Sequence, residues 1–282
     1  MKSTADTFPW RVLGLLLIAG FIGASSSLPY VSEQFFANPE VRKAMPPLPL
    51  PVLQLLVVVQ STVYLAIIIP LGLLLTRRTG FGFPLVKAWA SGQRAPAAGR
   101  LLVVGLLSGV AVGVLVLALE ALVFFPHLPP PLQALDAGSV PLWKRLLVGL
   151  FYGGIVEELF FRFFLLTLFV WLLSFVLRTS DGRPSSAAFW TANLLAALLF
   201  AVGHVPGTSM VAPLTALLVT RALVLNGLVG MTCGYLFWRR GLEAAMLAHM
   251  GFHLVWQLPG VWIARALMMP VLHGFLYMPT PG

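Results

Sequence analysis

Two glutamates stand side by side in an apolar run, Gly154-Ile155-Val156-Glu157-Glu158-Leu159-Phe160-Phe161-Arg162. An ionisable side chain at membrane depth costs at least about 2.5 kcal/mol, so it normally faces a protein interior and serves a purpose there. On a helix Glu158 and Arg162 are i,i+4 neighbours and form a charge-assisted pair that shares the desolvation cost. Glu157 points roughly 100° away from Glu158 and has no local partner, which suits a general base. The competing explanation is a structural ion cluster. Three of the 5 histidines repeat the pattern: His204 ends Phe200-Ala201-Val202-Gly203-His204, and His249 and His253 lie four apart in His249-Met250-Gly251-Phe252-His253. Their imidazoles look the same way from one helix.

Two chemistries fit one carboxylate with several imidazoles. In one, the carboxylate takes a proton from water while imidazoles stabilise the oxyanion formed at an amide carbonyl. In the other, His204, His249 and His253, with Glu157 or Glu158, hold a zinc ion that activates the water. Both are hydrolytic. Ser61, Ser108 and Ser174 sit in no nucleophile motif, the only cysteine, Cys233, reads as a small packing residue, and there is no phosphate-binding loop.

The elements that must position these residues are transmembrane. With 18 basic and 9 acidic residues in 282 and 59% hydrophobic, at a mean hydropathy of +0.93, the chain is neither an ordinary soluble domain nor disordered, and it is not a disulfide scaffold. Runs long enough to cross about 30 Å of hydrocarbon are Trp10–Leu28, Leu50–Leu75, Leu101–Phe125, Leu146–Leu177, Ala187–His204, Met210–Trp238 and Leu242–Ile263. This predicts an all-α, polytopic transmembrane bundle of seven or eight spans. An eighth, partial crossing is allowed because the fourth run is long and the sixth contains Arg221. A signal peptide is the alternative for the first run.

The net charge of +9 does not point to nucleic acid, because the basic residues lie in short connections where they orient spans. With the N-terminus inside, the cytoplasmic face holds Lys2, Arg11, Arg77, Arg78, Lys87, Arg94, Arg100, Arg178, Arg183, Arg239 and Arg240, against Arg42, Lys43, Lys144, Arg145 and Arg265 outside. Phe81–Trp89 reads equally well as an interfacial helix or a plain loop, and Pro126–Pro131 as a stiff connection. Gly105/Gly109/Gly113, Gly149/Gly153 and Gly230/Gly234 mark close helix approaches. The chain divides into residues 1–142 (three spans and an amphipathic connector), a helical core at 143–263 and a tail at 264–282. Counting rise per residue puts Glu157 and His249 each about 15 Å below a membrane surface, where they can meet.

In order on separate helices, Glu157-Glu158-x-x-x-Arg162, Phe200-x-x-x-His204 and His249-x-x-x-His253 resemble the signature of the CPBP superfamily. These are intramembrane glutamic peptidases that include CAAX prenyl proteases of the Ras-converting-enzyme type and bacteriocin-processing or immunity proteins. The resemblance covers about Trp143 to Val261; the first three spans carry no diagnostic motif. It implies that Glu157 activates water with help from His204, that Glu158 and Arg162 set the local electrostatics, and that His249 and the residue four later stabilise the oxyanion. At that last position His253 replaces the family's usual Asn, which keeps a hydrogen-bond donor and adds a metal ligand. The resulting expectation is a metal-free intramembrane endopeptidase with no cofactor, zinc being the disfavoured alternative. It would act on a membrane-anchored or membrane-inserted protein or peptide in the bacterial cytoplasmic membrane. The rival expectations are a non-catalytic scaffold or immunity protein and a proton-coupled transporter.

Overall fold

The structure, a computed structural model, describes residues 9–37, 39–95, 97–129, 140–209 and 212–258, and all named elements within them are helices. Helix α1 (Trp10–Phe36) is followed by the short α2 (Pro39–Ala44) and by α3 (Leu50–Thr79). Gly80, in the left-handed region at φ 76°, closes α3 by donating its N–H to Thr76 O. The segment read either as an interfacial helix or as a loop is a helix, α4 (Pro84–Ala90). Next come α5 (Ala98–His127) and α6 (142–173). The last three are α7 (Ser186–Ser209), α8 (Ala216–Arg240) and α9 (Leu242–Gln257). Ser185 and Thr215 cap α7 and α8 by accepting the N–H groups of Ala188 and Leu218.

Among the described residues five helices are long and apolar enough to cross a membrane: α1, α3, α5, α7 and α8. This is somewhat fewer than the seven or eight expected. The fourth run does fold as α6, but Lys144, Arg145, Glu157, Glu158 and Arg162 break its apolar character. The seventh run is the 16-residue α9, and its expected continuation to Ile263 lies outside the described residues. Also outside them are Lys2, Pro130, Pro131, Met210, Arg265 and the tail at 264–282. Large apolar side chains such as Leu55, Val63 and Ile67 on α3, and Leu194, Leu198 and Val202 on α7, remain exposed, as a lipid-facing belt requires. The chain is an integral, multi-pass membrane protein.

The glycine spacings mark where backbones touch. A Cβ on Gly105 would lie 2.9 Å from Ala244 O, and one on Gly109 would run into the Ala248 carbonyl, so α5 and α9 pack backbone to backbone. Gly230 meets Ala197 in the same way across α7 and α8. Helix α1 is a packed member of the bundle: Gly20 faces Leu65 and Leu159, and Gly23 faces Phe151 O. One core therefore joins the N-terminal helices to those that carry the acids and histidines.

Candidate active site

Helix α6 departs from α geometry where the acids sit: Val148–Glu157 and Leu159–Leu166 are π-helical, a wider winding that is concentrated at functional sites in proteins. Glu158 is fully buried, and its Oε1 lies 2.9 Å from Arg162 Nη1, so the pair expected from the four-residue spacing is formed. The same oxygen accepts a 2.7 Å hydrogen bond from His249 Nδ1 of α9. Across the ring, His249 Nε2 stands 3.6 Å from Glu157 Oε2. One imidazole thus bridges the two neighbouring carboxylates. The acids differ in access: the Glu158 side chain has no exposure, whereas that of Glu157 keeps 20%.

His253 stacks on His249 with ring centroids 5.1 Å apart and planes 6° from parallel. Both imidazoles lean on the bare backbone of α6, since a Cβ on Gly153 would lie 2.8 Å from His253 Nε2 and 3.3 Å from His249 Nε2. His204, capping Gly203 at a break in α7, is half-buried and, among the contacts of the described residues, bonds to neither acid. Its Nδ1 is 2.8 Å from Phe200 O, an acceptor only, so Nδ1 carries the proton and Nε2 keeps a lone pair. Phe200 links the groups: its ring centroid is 4.7 Å from that of His204, 5.7 Å from that of His249 and 4.5 Å from the Arg162 guanidinium carbon. A buried guanidinium over an aromatic face gains cation–π stabilisation while it serves Glu158.

Residues 139–255 match the family model for type II CAAX prenyl endopeptidase Rce1-like proteins. This segment is similar to Rce1-like domains. It starts just before α6 and ends within α9, so the match takes in all six residues placed above. Comparison with curated proteins and with solved structures gives no match.

Within the Rce1-like segment the closest set of metal donors among the described residues is Glu158, Cys233 and His249, all buried and with ligand atoms within 4.8 Å of one another. That set differs from the three-histidine set suggested by the spacing, and it brings in Cys233 of α8, which the sequence offered only as packing. Two of these donor atoms are already engaged: Glu158 Oε1 holds Arg162 and the His249 Nδ1–H, so a cation placed there would stand beside a guanidinium. The residues present fit an ion-paired acid–imidazole cluster better than a metal cage. Glu158 Oε2, Arg162 Nη2 and His253 Nδ1 are buried with no hydrogen-bond partner among the described residues, so the fold leaves polar capacity at the site.

Two charged features escaped the sequence reading. Arg221 of α8 makes a bidentate pair with Glu120 of α5, Nε to Oε2 at 2.7 Å and Nη2 to Oε1 at 2.8 Å, which explains an arginine inside an apolar run. Glu243, in the first turn of α9, accepts the Val86 N–H at 2.8 Å, while Leu242 N–H donates to Gly82 O at 3.0 Å. The N-cap residue of α4, Phe83, supplies no capping side chain, so Glu243 caps that helix from another element. An acid in a helix's first turn was the available signal, though nothing local names its partner.

Proposed function

We propose that this protein is an intramembrane endopeptidase in which Glu157 is the general base for water. The observation that carries the reading is the inequality of the two acids around one imidazole: Glu158 is sealed and paired with Arg162, while Glu157 is partly open with His249 Nε2 3.6 Å from its carboxylate. A water beside Glu157 passes a proton to its carboxylate as the oxygen attacks a peptide carbonyl. His204 Nε2, fixed as an acceptor by the Phe200 carbonyl, holds the second hydrogen of that water. His253 offers a ring N–H to the oxyanion; His249, whose Nδ1–H is held by Glu158, adds an Nε2–H only as the imidazolium, and Arg162 with Glu158 orients its ring. Collapse of the intermediate breaks the C–N bond, and the proton held by Glu157 goes to the leaving amine.

Bundle depth selects the substrate class. An acid halfway along α6 reaches a membrane-anchored or membrane-inserted protein or peptide, and the Rce1-like match supports this. Arg11 and Arg100 in the first turns of α1 and α5, with Arg77 and Arg78 in the last turn of α3, support a cytoplasmic N-terminus. The deciding experiment compares membrane and secreted peptides by mass spectrometry in cells carrying the wild type or Glu157→Gln. A peptide that accumulates uncut with the variant supports the reading. Identical profiles together with unimpaired physiology would identify a scaffold, and loss of proton-coupled uptake a transporter.

A further inference from the structure

A groove of about 430 Å³ opens between the first turns of α1 and the surface helix α4, lined by Arg11, Gly14, Leu15, Ile18, Trp89 and Ala90. Its wall is fixed rather than loose. Helix α4 is held at one end by Glu243, which caps Val86, and at the other by Arg11, whose Nη1 reaches Ala90 O at 3.4 Å. Arg11 is exposed and has no carboxylate within ion-pair distance among the described residues, so its charge is uncompensated.

The groove is polar at one end and apolar at the other. Arg11 and the 64% exposed indole of Trp89 stand at the mouth; Leu15 and Ile18 continue about two turns down the span. Gly14 leaves the floor open, since a Cβ there would meet nothing within 4 Å. A charged head over an apolar stem has the polarity of a phospholipid, and a Trp at the boundary suits the headgroup level. Its sign is set by the surroundings: exposed Lys87, Arg94 and Arg100 belong to this end of the bundle, while its acids among the described residues are the capping Glu243 and the Arg183-paired Asp181.

We propose that this groove holds one anionic phospholipid, its phosphate on Arg11 and an acyl chain lying over Gly14 and Ile18. The site is separate from the acid–histidine cluster, so its test needs no cleavage assay. The full chain, purified in neutral detergent, is titrated with phosphatidylglycerol, phosphatidylcholine or inorganic phosphate, and adducts are counted by native mass spectrometry. One retained phosphatidylglycerol is expected, with apparent affinity lowered about fivefold in Arg11→Gln, the share of one basic side chain beside a headgroup. Ile18→Trp, which fills the groove and keeps the charge, is expected to lose the adduct, and this decides the matter should Arg11→Gln fold poorly. Equal retention by the wild type and Ile18→Trp, or equal retention of phosphatidylcholine, overturns the proposal. Displacement of the lipid by inorganic phosphate at similar concentration also overturns it, in favour of a free-anion site.

Discussion

Replacing each glutamate of the pair by glutamine should separate stability from chemistry. In Glu158→Gln the guanidinium of Arg162, with its side chain only 3% exposed and 2.9 Å from Glu158, stays buried without its counter-charge. Removing one partner of such a pair costs about 3–5 kcal/mol. Among the described residues Glu157 pairs with no Lys or Arg, has His249 Nε2 at 3.6 Å and keeps 20% exposure, so Glu157→Gln should change stability by only about 0–1 kcal/mol. Cleavage should respond differently, falling about 10²–10⁴-fold in Glu157→Gln through loss of the base. The assays are denaturant unfolding followed by tryptophan fluorescence and single-turnover cleavage of the peptide identified above. The double variant Glu158→Leu/Arg162→Met removes both charges, and its stability should return to the wild-type level or exceed it by about 1–4 kcal/mol. Its cleavage should stay low, because His249 has lost its Nδ1 acceptor. Glu157→Gln cleaving at the wild-type rate, or unfolding as readily as Glu158→Gln, would refute the division of roles.

Four further outcomes follow from the packing. Gly153→Ala places a methyl 2.8 Å from His253 Nε2 and 3.3 Å from His249 Nε2; it should cost about 1–3 kcal/mol and lower cleavage by up to about a hundredfold, read in the same two assays. Glu243→Ala should cost about 0.5–2 kcal/mol as a lost cap and speed hydrogen exchange at the Val86 amide; Glu243→Gln, which keeps an acceptor oxygen, should restore protection. Exhaustive chelation should leave cleavage unaltered, and Cys233→Ala should cleave as the wild type does. Loss of activity on chelation with recovery on added zinc would instead assign a metal to Glu158, Cys233 and His249. A double-mutant cycle on Glu120 and Arg221 should give a coupling of about 0.5–3 kcal/mol in unfolding with no change in cleavage.

What the sequence made legible and what it hid divide along one physical line. Glu157, Glu158, Arg162, His204, His249 and His253 were visible because a titratable group among apolar neighbours carries a cost that needs a reason, and the glycine spacings because a missing side chain is itself a signal. Contacts set by the register between helices had no such mark. Arg221 finds Glu120 from 101 residues away and Glu243 finds Val86 from 157, distances at which no periodicity operates. Cys233 comes beside Glu158 because α8 lies along the bundle at one particular height, and the π-helical winding of α6 alters the angle on which a reading of Glu157 against Glu158 depends. The span count among the described residues is lower than expected for a related reason. Helix α6 is disqualified as an apolar crossing by the charges that make it the carrier of the candidate site, and what renders those charges tolerable is supplied by α7 and α9: the Phe200 face over Arg162 and the His249 ring on Glu158. Hydropathy scores a helix alone, whereas the cost of Glu158 is offset only in the assembled bundle. A helix that fails the membrane criterion by a few charges, each matched by a partner on a neighbouring helix, is therefore the place to look first for chemistry inside a bilayer.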